Sequence, residues 1–226
     1  MEKAKEKIKK LVEKYEEVKN SNRLKLYTEE ETKKDFILPL FEVLGWDISI
    51  KKEVSAEEHI ISSGRVDYGF YLNDRIKFYL EAKPLKADLN REEYANQAIR
   101  YAFNKGAVWA VLTDFESVKV FNAQDRERAL YDKLLFEIPY TQFLERFNEL
   151  WLLSKEAFEN NLLDKEAEKR GKKIPKVFIT SLLNEDLQKC RDILTNDLSK
   201  WNEKVKPDLI DEGGRYPKIQ TPFIRV

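Results

Sequence analysis

Asp67, Glu81 and Lys83 form the pattern D-x13-E-x-K, two carboxylates and a lysine of which the last two are separated by one residue. On a strand, alternate side chains share a face, so Glu81 and Lys83 project together. A hairpin pairing would bring Asp67 to the same edge. Gathering these charges is costly unless they bind something positive or perform chemistry. Phosphodiester hydrolysis has work for each. The carboxylates carry Mg²⁺ to the scissile phosphate, where the ion neutralises developing charge and lowers the pKa of a bound water. The backbone carbonyl of Ala82 is a further oxygen ligand, and the lysine holds the attacking water or stabilises the transition state. The alternative is an exposed hairpin face bearing ordinary surface charge. E-x-K occurs three times, at 17–19, 31–33 and 81–83, so the motif alone carries little. The first two fall on expected helices, where i and i+2 do not face each other. The third follows an acidic strand and is flanked by apolar residues.

The elements that would position these residues can be read from periodicity. Val66, Tyr68, Phe70 and Leu72 alternate with Asp67, Gly69 and Tyr71, and Ile76, Phe78, Leu80 and Ala82 alternate with Lys77, Tyr79, Glu81 and Lys83; Asn73-Asp74 supplies turn chemistry between them. A helix is expected from about Arg91 to Asn104, with Asn90 and Glu93 resembling a capping box. Gln97 and Tyr101 lie at i, i+4 on it, sharing a face with Glu93 and Tyr94. Side by side they can hydrogen-bond a phosphate or a metal-bound water; the alternative is packing for Tyr101 and solvent for Gln97. Upstream, Thr28 and Glu31 make a capping box that opens a helix with Phe36, Ile37, Leu40, Phe41 and Leu44 as its apolar stripe, kinked at Pro39 and ended by Gly45. Glu31 is most simply the capping glutamate, although the same helix could direct Glu31 or Glu29 toward a metal.

Lys3 to Asn20 reads as an amphipathic helix on Ile8, Leu11, Val12, Tyr15 and Val18. Trp46 to Val54 is expected as a strand, 55–64 as a polar loop containing His59, Ala107 to Thr113 as a fully apolar strand, and Ser117 to Asn122 as its hairpin partner. The order α-α-β-β-β-α-β-β describes a mixed α/β domain over residues 1–140. From Tyr140 the sequence YTQFLERFNELWLLSKEAF reads as helical; 169–176 reads as a basic linker and 180–205 as helical again, so 141–226 is expected to be a helical extension. Trp46 reads as a core anchor and His59 as a loop residue. Lys51, Lys52, Arg65, Lys86 and Arg100 are candidates for phosphate contacts.

Composition narrows the chemistry. The 226 residues carry 41 basic and 41 acidic side chains, a balance that leaves a nucleic-acid partner to local rather than total charge. One histidine and one cysteine, Cys190, cannot build a zinc cluster, so a metal here would be a hard, oxygen-liganded cation. A lone cysteine also precludes an internal disulfide and fits a reducing cytoplasm. No apolar run reaches membrane-spanning length and no signal peptide precedes the lysine-rich start, so no membrane partner is expected. The sequence holds no G-x-x-x-x-G-K-[ST] loop, no Asn-Pro-Pro-Tyr-like motif and no glycine-rich cofactor loop, which argues against an ATPase motor or methyl transfer within it.

Glu31 in TEEETKKDFILPLFEVLGW, Asp67 in RVDYGFYL, Glu81-Ala82-Lys83 in FYLEAKPL and Gln97…Tyr101 in NQAIRYA occur in the order of a PD-(D/E)XK nuclease. The Gln-x-x-x-Tyr pair resembles the subgroup found in type I restriction motor subunits and recombination exonucleases. LPLFEVLGWD, LEAK, QAIRYA and FNELWLLSKEAF are similar to the N-terminal nuclease region of fused type IIG restriction-modification enzymes, over roughly residues 25–160. Val66 stands where the family's motif has proline. The resemblance implies a restriction-endonuclease-like mixed sheet flanked by helices and Mg²⁺-dependent cleavage of double-stranded DNA, with Mn²⁺ as a substitute ion. Asp67, Glu81 and the Ala82 carbonyl would hold the metal, Lys83 would be the catalytic lysine, and Glu31, Gln97 and Tyr101 would be accessory. It further implies a methyltransferase or specificity domain or subunit as partner, and transient dimerisation on DNA to cut both strands.

Overall fold

Alternating segments between residues 54 and 139 assemble into one six-stranded sheet whose spatial order follows the chain: β1 (Val54–Ile60), β2 (Gly64–Leu72), β3 (Arg75–Ala82), β4 (Trp109–Thr113), β5 (Ser117–Asn122) and β6 (Leu134–Pro139). The computed structural model describes residues 1–21, 23–60, 64–124, 129–172, 187–197 and 200. All neighbouring strands are antiparallel except β3 and β4, which run parallel. A parallel pair needs a crossover, and α4 (Glu92–Asn104) supplies it. The chain divides into two compact units, Met1–Ile174 and Pro175–Val226. In the second, residues 187–197 are helical; the remainder of the expected 180–205 helix and residues 173–176 of the basic run lie outside the described residues. No described helix is long and apolar enough to cross a membrane.

The sheet is covered on both faces, which is why its central strands read as nearly continuous apolar runs. Phe78, Leu80, Ala82, Trp109, Val111, Val118, Val120, Leu135, Phe136 and Ile138 belong to one apolar cluster, together with Ile8, Leu11 and Tyr15 of α1 (Glu2–Asn20). Tyr79, Ala110, Leu112 and Phe121 belong to a second, with Ala95, Ala98, Ile99, Tyr101 and Ala102 of α4. Phe70 and Phe78 stack across β2 and β3 at 4.3 Å, and Trp46 meets both rings edge-on. Each such ring, fully buried, contributes roughly 1.5–3 kcal/mol. Trp46 is the core anchor the sequence suggests, its indole N–H donating to the Leu153 carbonyl at 2.8 Å.

The helix opened by Thr28 runs as α2 (Glu29–Thr32), a π-helical turn over Lys33–Ile37, and α3 (Leu38–Val43). The capping box is formed: Glu31 N–H donates to Thr28 Oγ1 and Thr28 N–H to Glu31 Oε2. Pro39 has no N–H to offer the preceding turn, and Lys14 Nζ donates to the Asp35 carbonyl there at 3.0 Å. Gly45, at φ +93°, closes the helix in a Schellman arrangement, with Trp46 N–H to Phe41 O and Gly45 N–H to Glu42 O.

Four expectations are corrected. Residues 46–53 are turns, because Asp47 accepts from the Ser49 amide and hydroxyl and Glu53 accepts from the Asp47 amide. The strand begins instead at Val54 and takes in residues 55–60, including His59. No capping box forms at Asn90: its Oδ1 accepts from Lys119 Nζ at 2.9 Å, and Arg91 is the N-cap. The helix expected from Tyr140 is broken into 3₁₀ turns at Tyr140–Gln142 and Trp151–Leu153, α6 (Phe147–Leu150), α7 (Lys155–Glu159) and α8 (Leu162–Lys169) after α5 (Leu130–Lys133). Ser154, extended at ψ 154°, ends one segment and caps the next by accepting from Ala157 N–H. Helices α6, α7 and α8 and the turns next to them pack into the first cluster through Phe143, Phe147, Leu150, Leu153, Phe158, Leu163 and Ala167, so the compact unit runs on past residue 140.

Candidate active site

Asn73 and Asp74 both adopt positive φ, 51° and 59°, the two-residue turn whose twist matches a hairpin. It sets β2 antiparallel to β3, with Tyr68 opposite Leu80. Asp67 thereby reaches the end of β3, where its Oδ2 accepts the Ala82 amide at 2.8 Å. Parallel pairing with β4 places Glu81 beside Leu112, and Lys83 N–H donates to the Thr113 carbonyl. The candidate residues thus collect at the carboxyl ends of two adjacent parallel strands, the usual place for ligands in open α/β sheets.

Glu81 is 4% exposed. Its Oε1 accepts from Lys83 Nζ at 2.6 Å and from Gln97 Nε2 at 2.7 Å. Its Oε2 is buried with no hydrogen-bond partner. Burial pushes the Glu81 carboxyl up to about 7, and the Asp67 charge adds to this while Lys83 opposes it. The Lys83 ammonium lies 4.7 Å from the centre of the Tyr94 ring, so an aromatic face on α4 holds it from a second side.

Lys33, whose E-x-K at 31–33 falls on a helix and so carries no weight in the sequence, is part of this group. It is 6% exposed, and its ammonium lies 2.6 Å from Asp67 Oδ1, 2.8 Å from Glu29 Oε1 and 2.9 Å from Glu30 Oε1. Burial disfavours its charge, but the hydrogen bonds to Asp67, Glu29 and Glu30 outweigh that and raise its pKa. Next to it, buried Thr32 accepts the Leu85 amide on Oγ1 at 3.2 Å, which ties the helix to the chain leaving β3. The available signal was the i−4 and i−3 placement of Glu29 and Glu30, which marks an ion pair but not its destination.

Among the other residues singled out, Glu31 keeps its carboxylate on Thr28, accepting from both the amide and the hydroxyl; Glu29 is the member of that run that joins the Lys33–Asp67 group. Tyr101 is buried in the α4 cluster with the Arg100 guanidinium over its ring, one turn along from Gln97. Ala82 is fully buried and holds Asp67 through its amide. Lys51, Lys52, Lys86 and Arg100 are exposed; the side chains of His59 and Arg65 lie outside the described residues. A second acidic group sits at the β4–β5 turn. Asp114 is buried, accepts the Ser117 amide at 3.0 Å and is pushed up to about 7 by that burial, and Glu116 accepts from the Tyr15 hydroxyl.

Among the described residues no group of three acidic, histidine or cysteine side chains stands ready to hold a metal ion. Mg²⁺ does not require one, since it is commonly held by one or two carboxylates plus waters and substrate phosphates. The orphaned Oε2 of Glu81 is the kind of oxygen such an ion takes up.

The six-stranded mixed sheet with helices on both faces is a restriction-endonuclease-like fold, bearing an acidic pair and a lysine at the end of its third strand. The chain is 24% identical over 225 residues to the type II restriction enzyme and methyltransferase RM.Eco57I of Escherichia coli, an alignment covering 92% of this chain and 22% of that protein. It therefore spans about a fifth of that relative's length. No family model matches the chain, and no solved structure matches it.

Proposed function

We infer that this chain is a metal-dependent DNA endonuclease region of a restriction-modification system, hydrolysing phosphodiester bonds in double-stranded DNA. The observation that carries the reading is the asymmetry of Glu81: one oxygen is fixed by Lys83 and Gln97, and the other is buried and left without a partner. Leaving a buried acceptor unpaired costs about 1–3 kcal/mol, a penalty that bound cation would remove. Similarity to a protein whose name joins restriction and methyl transfer supports the same system. The missing ATPase and methyl-transfer motifs point this chain toward the cleavage step, with a methyltransferase or specificity component as partner.

Mg²⁺ or Mn²⁺, when held by Asp67 and Glu81 with the Ala82 carbonyl, supplies charge neutralisation at the phosphate and a more acidic bound water. The chain's own groups do the positioning. The Ala82 amide orients Asp67 through Oδ2. Gln97 and Lys83 together hold Glu81 Oε1, which leaves Oε2 as the oxygen without a protein donor. Lys83, steered by Glu81 Oε1 and the Tyr94 face, presents an ammonium where negative charge develops on the phosphate oxygens. One such site cuts one strand at a time, so cleavage of both strands calls for two copies on DNA or two successive nicks.

The test is conversion of supercoiled plasmid with Mg²⁺ or Mn²⁺ by wild type beside Asp67→Ala and Lys83→Ala. Loss of supercoiled substrate with wild type alone supports the reading. Equal background from all three proteins sinks it and leaves a catalytically silent DNA-binding module. Degradation only of linear, end-labelled DNA would make the protein an exonuclease of the same chemistry.

A further inference from the structure

Lys33 lies at the centre of a triangle of carboxylate oxygens from Asp67, Glu29 and Glu30, all within 2.9 Å of its ammonium. An ammonium has three protons to donate, and three oxygens are in reach. Lys33 is 6% exposed while Glu30 reaches solvent, so water screens the lysine's contact with Asp67 far less than its contact with Glu30. We propose that Lys33 is a resident cation that fills one of two cation positions around Asp67, so that the site accepts a single divalent ion. This rests on the reading of Asp67 and Glu81 as metal ligands.

The oxygens of the acidic pair are engaged unevenly: Asp67 Oδ2 takes the Ala82 amide, and Glu81 Oε1 takes Lys83 and Gln97. Asp67 Oδ1 already faces a positive charge at 2.6 Å, and a divalent ion placed among Asp67, Glu29 and Glu30 would be driven out by the ammonium between them. Glu81 Oε2 faces no donor at all. The positive groups divide accordingly: Lys83 serves Glu81 Oε1, Lys33 serves Asp67 Oδ1 and the two helix glutamates, and Glu81 Oε2 is left for a cation that the protein does not itself supply. The π-helical turn that starts at Lys33 belongs to this device. It sits where helix α2 meets the end of β3, tied there by the Thr32–Leu85 hydrogen bond, and delivers the lysine into the site.

Counting ions by Mn²⁺ titration, with free Mn²⁺ read by electron paramagnetic resonance and no DNA present, tests this apart from activity. Wild type and Lys33→Arg, which keeps the charge, should each take up one Mn²⁺. Lys33→Met, which keeps the length and removes the charge, should take up two, the second lost again in Glu29→Gln/Lys33→Met. Two ions in wild type, or one in a folded Lys33→Met, overturns the proposal. Should Lys33→Met not fold, the wild-type count decides, one ion supporting and two overturning. Wild type that binds no Mn²⁺ while folded would remove the metal-site reading itself, and the resident-cation role with it.

Discussion

Glu81→Gln should stabilise the metal-free protein while abolishing cleavage. The carboxylate is 4% exposed and its pKa is raised from 4.5 to about 7, first by burial and then by Asp67. A shift of about 2.5 units corresponds to ~3 kcal/mol of preference for the uncharged form. Because the folded pKa lies above the unfolded one, the protonated carboxyl contributes stability below pH 4.5, and that contribution is lost as pH rises toward 7. Glutamine keeps an acceptor for Lys83 and Gln97 but pairs less strongly with the ammonium, which trims the expected gain to about 2 kcal/mol at pH 8, a Tm rise of roughly 4–8 °C. Thermal unfolding in EDTA at pH 8 and pH 5 measures it, and the gap should fall to under about half its size at pH 5. Excess Mg²⁺ should raise the Tm of wild type and leave that of the variant unmoved. A variant no more stable than wild type at pH 8, or a gap that widens as pH falls, would refute the reasoning.

Asp114→Asn, at the β4–β5 turn, should behave alike in sign: burial holds Asp114 up at about 7, so the variant gains stability above pH 7 and loses the advantage toward pH 4, as urea midpoints across that range would show. Thr28→Ala removes the acceptor for the Glu31 amide and should cost about 1 kcal/mol in urea unfolding; because α2 leads into Lys33 and Thr32, plasmid cleavage should also fall. Tyr94→Ala takes the ring from under Lys83, worth about 0.5–2 kcal/mol, and should slow cleavage by about 2- to 30-fold with unchanged far-ultraviolet circular dichroism.

Much of this architecture is local enough to be read in one dimension. The β2–β3 hairpin follows from alternation and from Asn73-Asp74, two residues that tolerate positive φ. Helix α1, the Thr28 capping box and the Gly45 stop are written in spacing and cap chemistry. Segments whose structure depends on burial were harder to read. β6, LLFEIP, lacks alternation because it is an apolar run packed into the core, and such a run cannot be told from a helix segment by period alone. The chain from Tyr140 onward has helical composition, yet Ser154 in an extended conformation and contacts with the main cluster divide it into short pieces.

The sequence by itself determined which residue types stand near the end of β3, since D-x13-E-x-K on two alternating segments joined by a tight turn leaves few other arrangements. Tertiary structure alone decided their partners. E-x-K at 31–33 reads as coincidence along the helix, yet its lysine is the cation on Asp67, while its glutamate stays on the cap and Glu29 joins the group in its place. Which oxygen of Glu81 is satisfied and which is not depends on β3, α4 and their crossover meeting at one point, because hydrogen-bond geometry at a buried carboxylate is set by elements distant in the chain and no local periodicity encodes it.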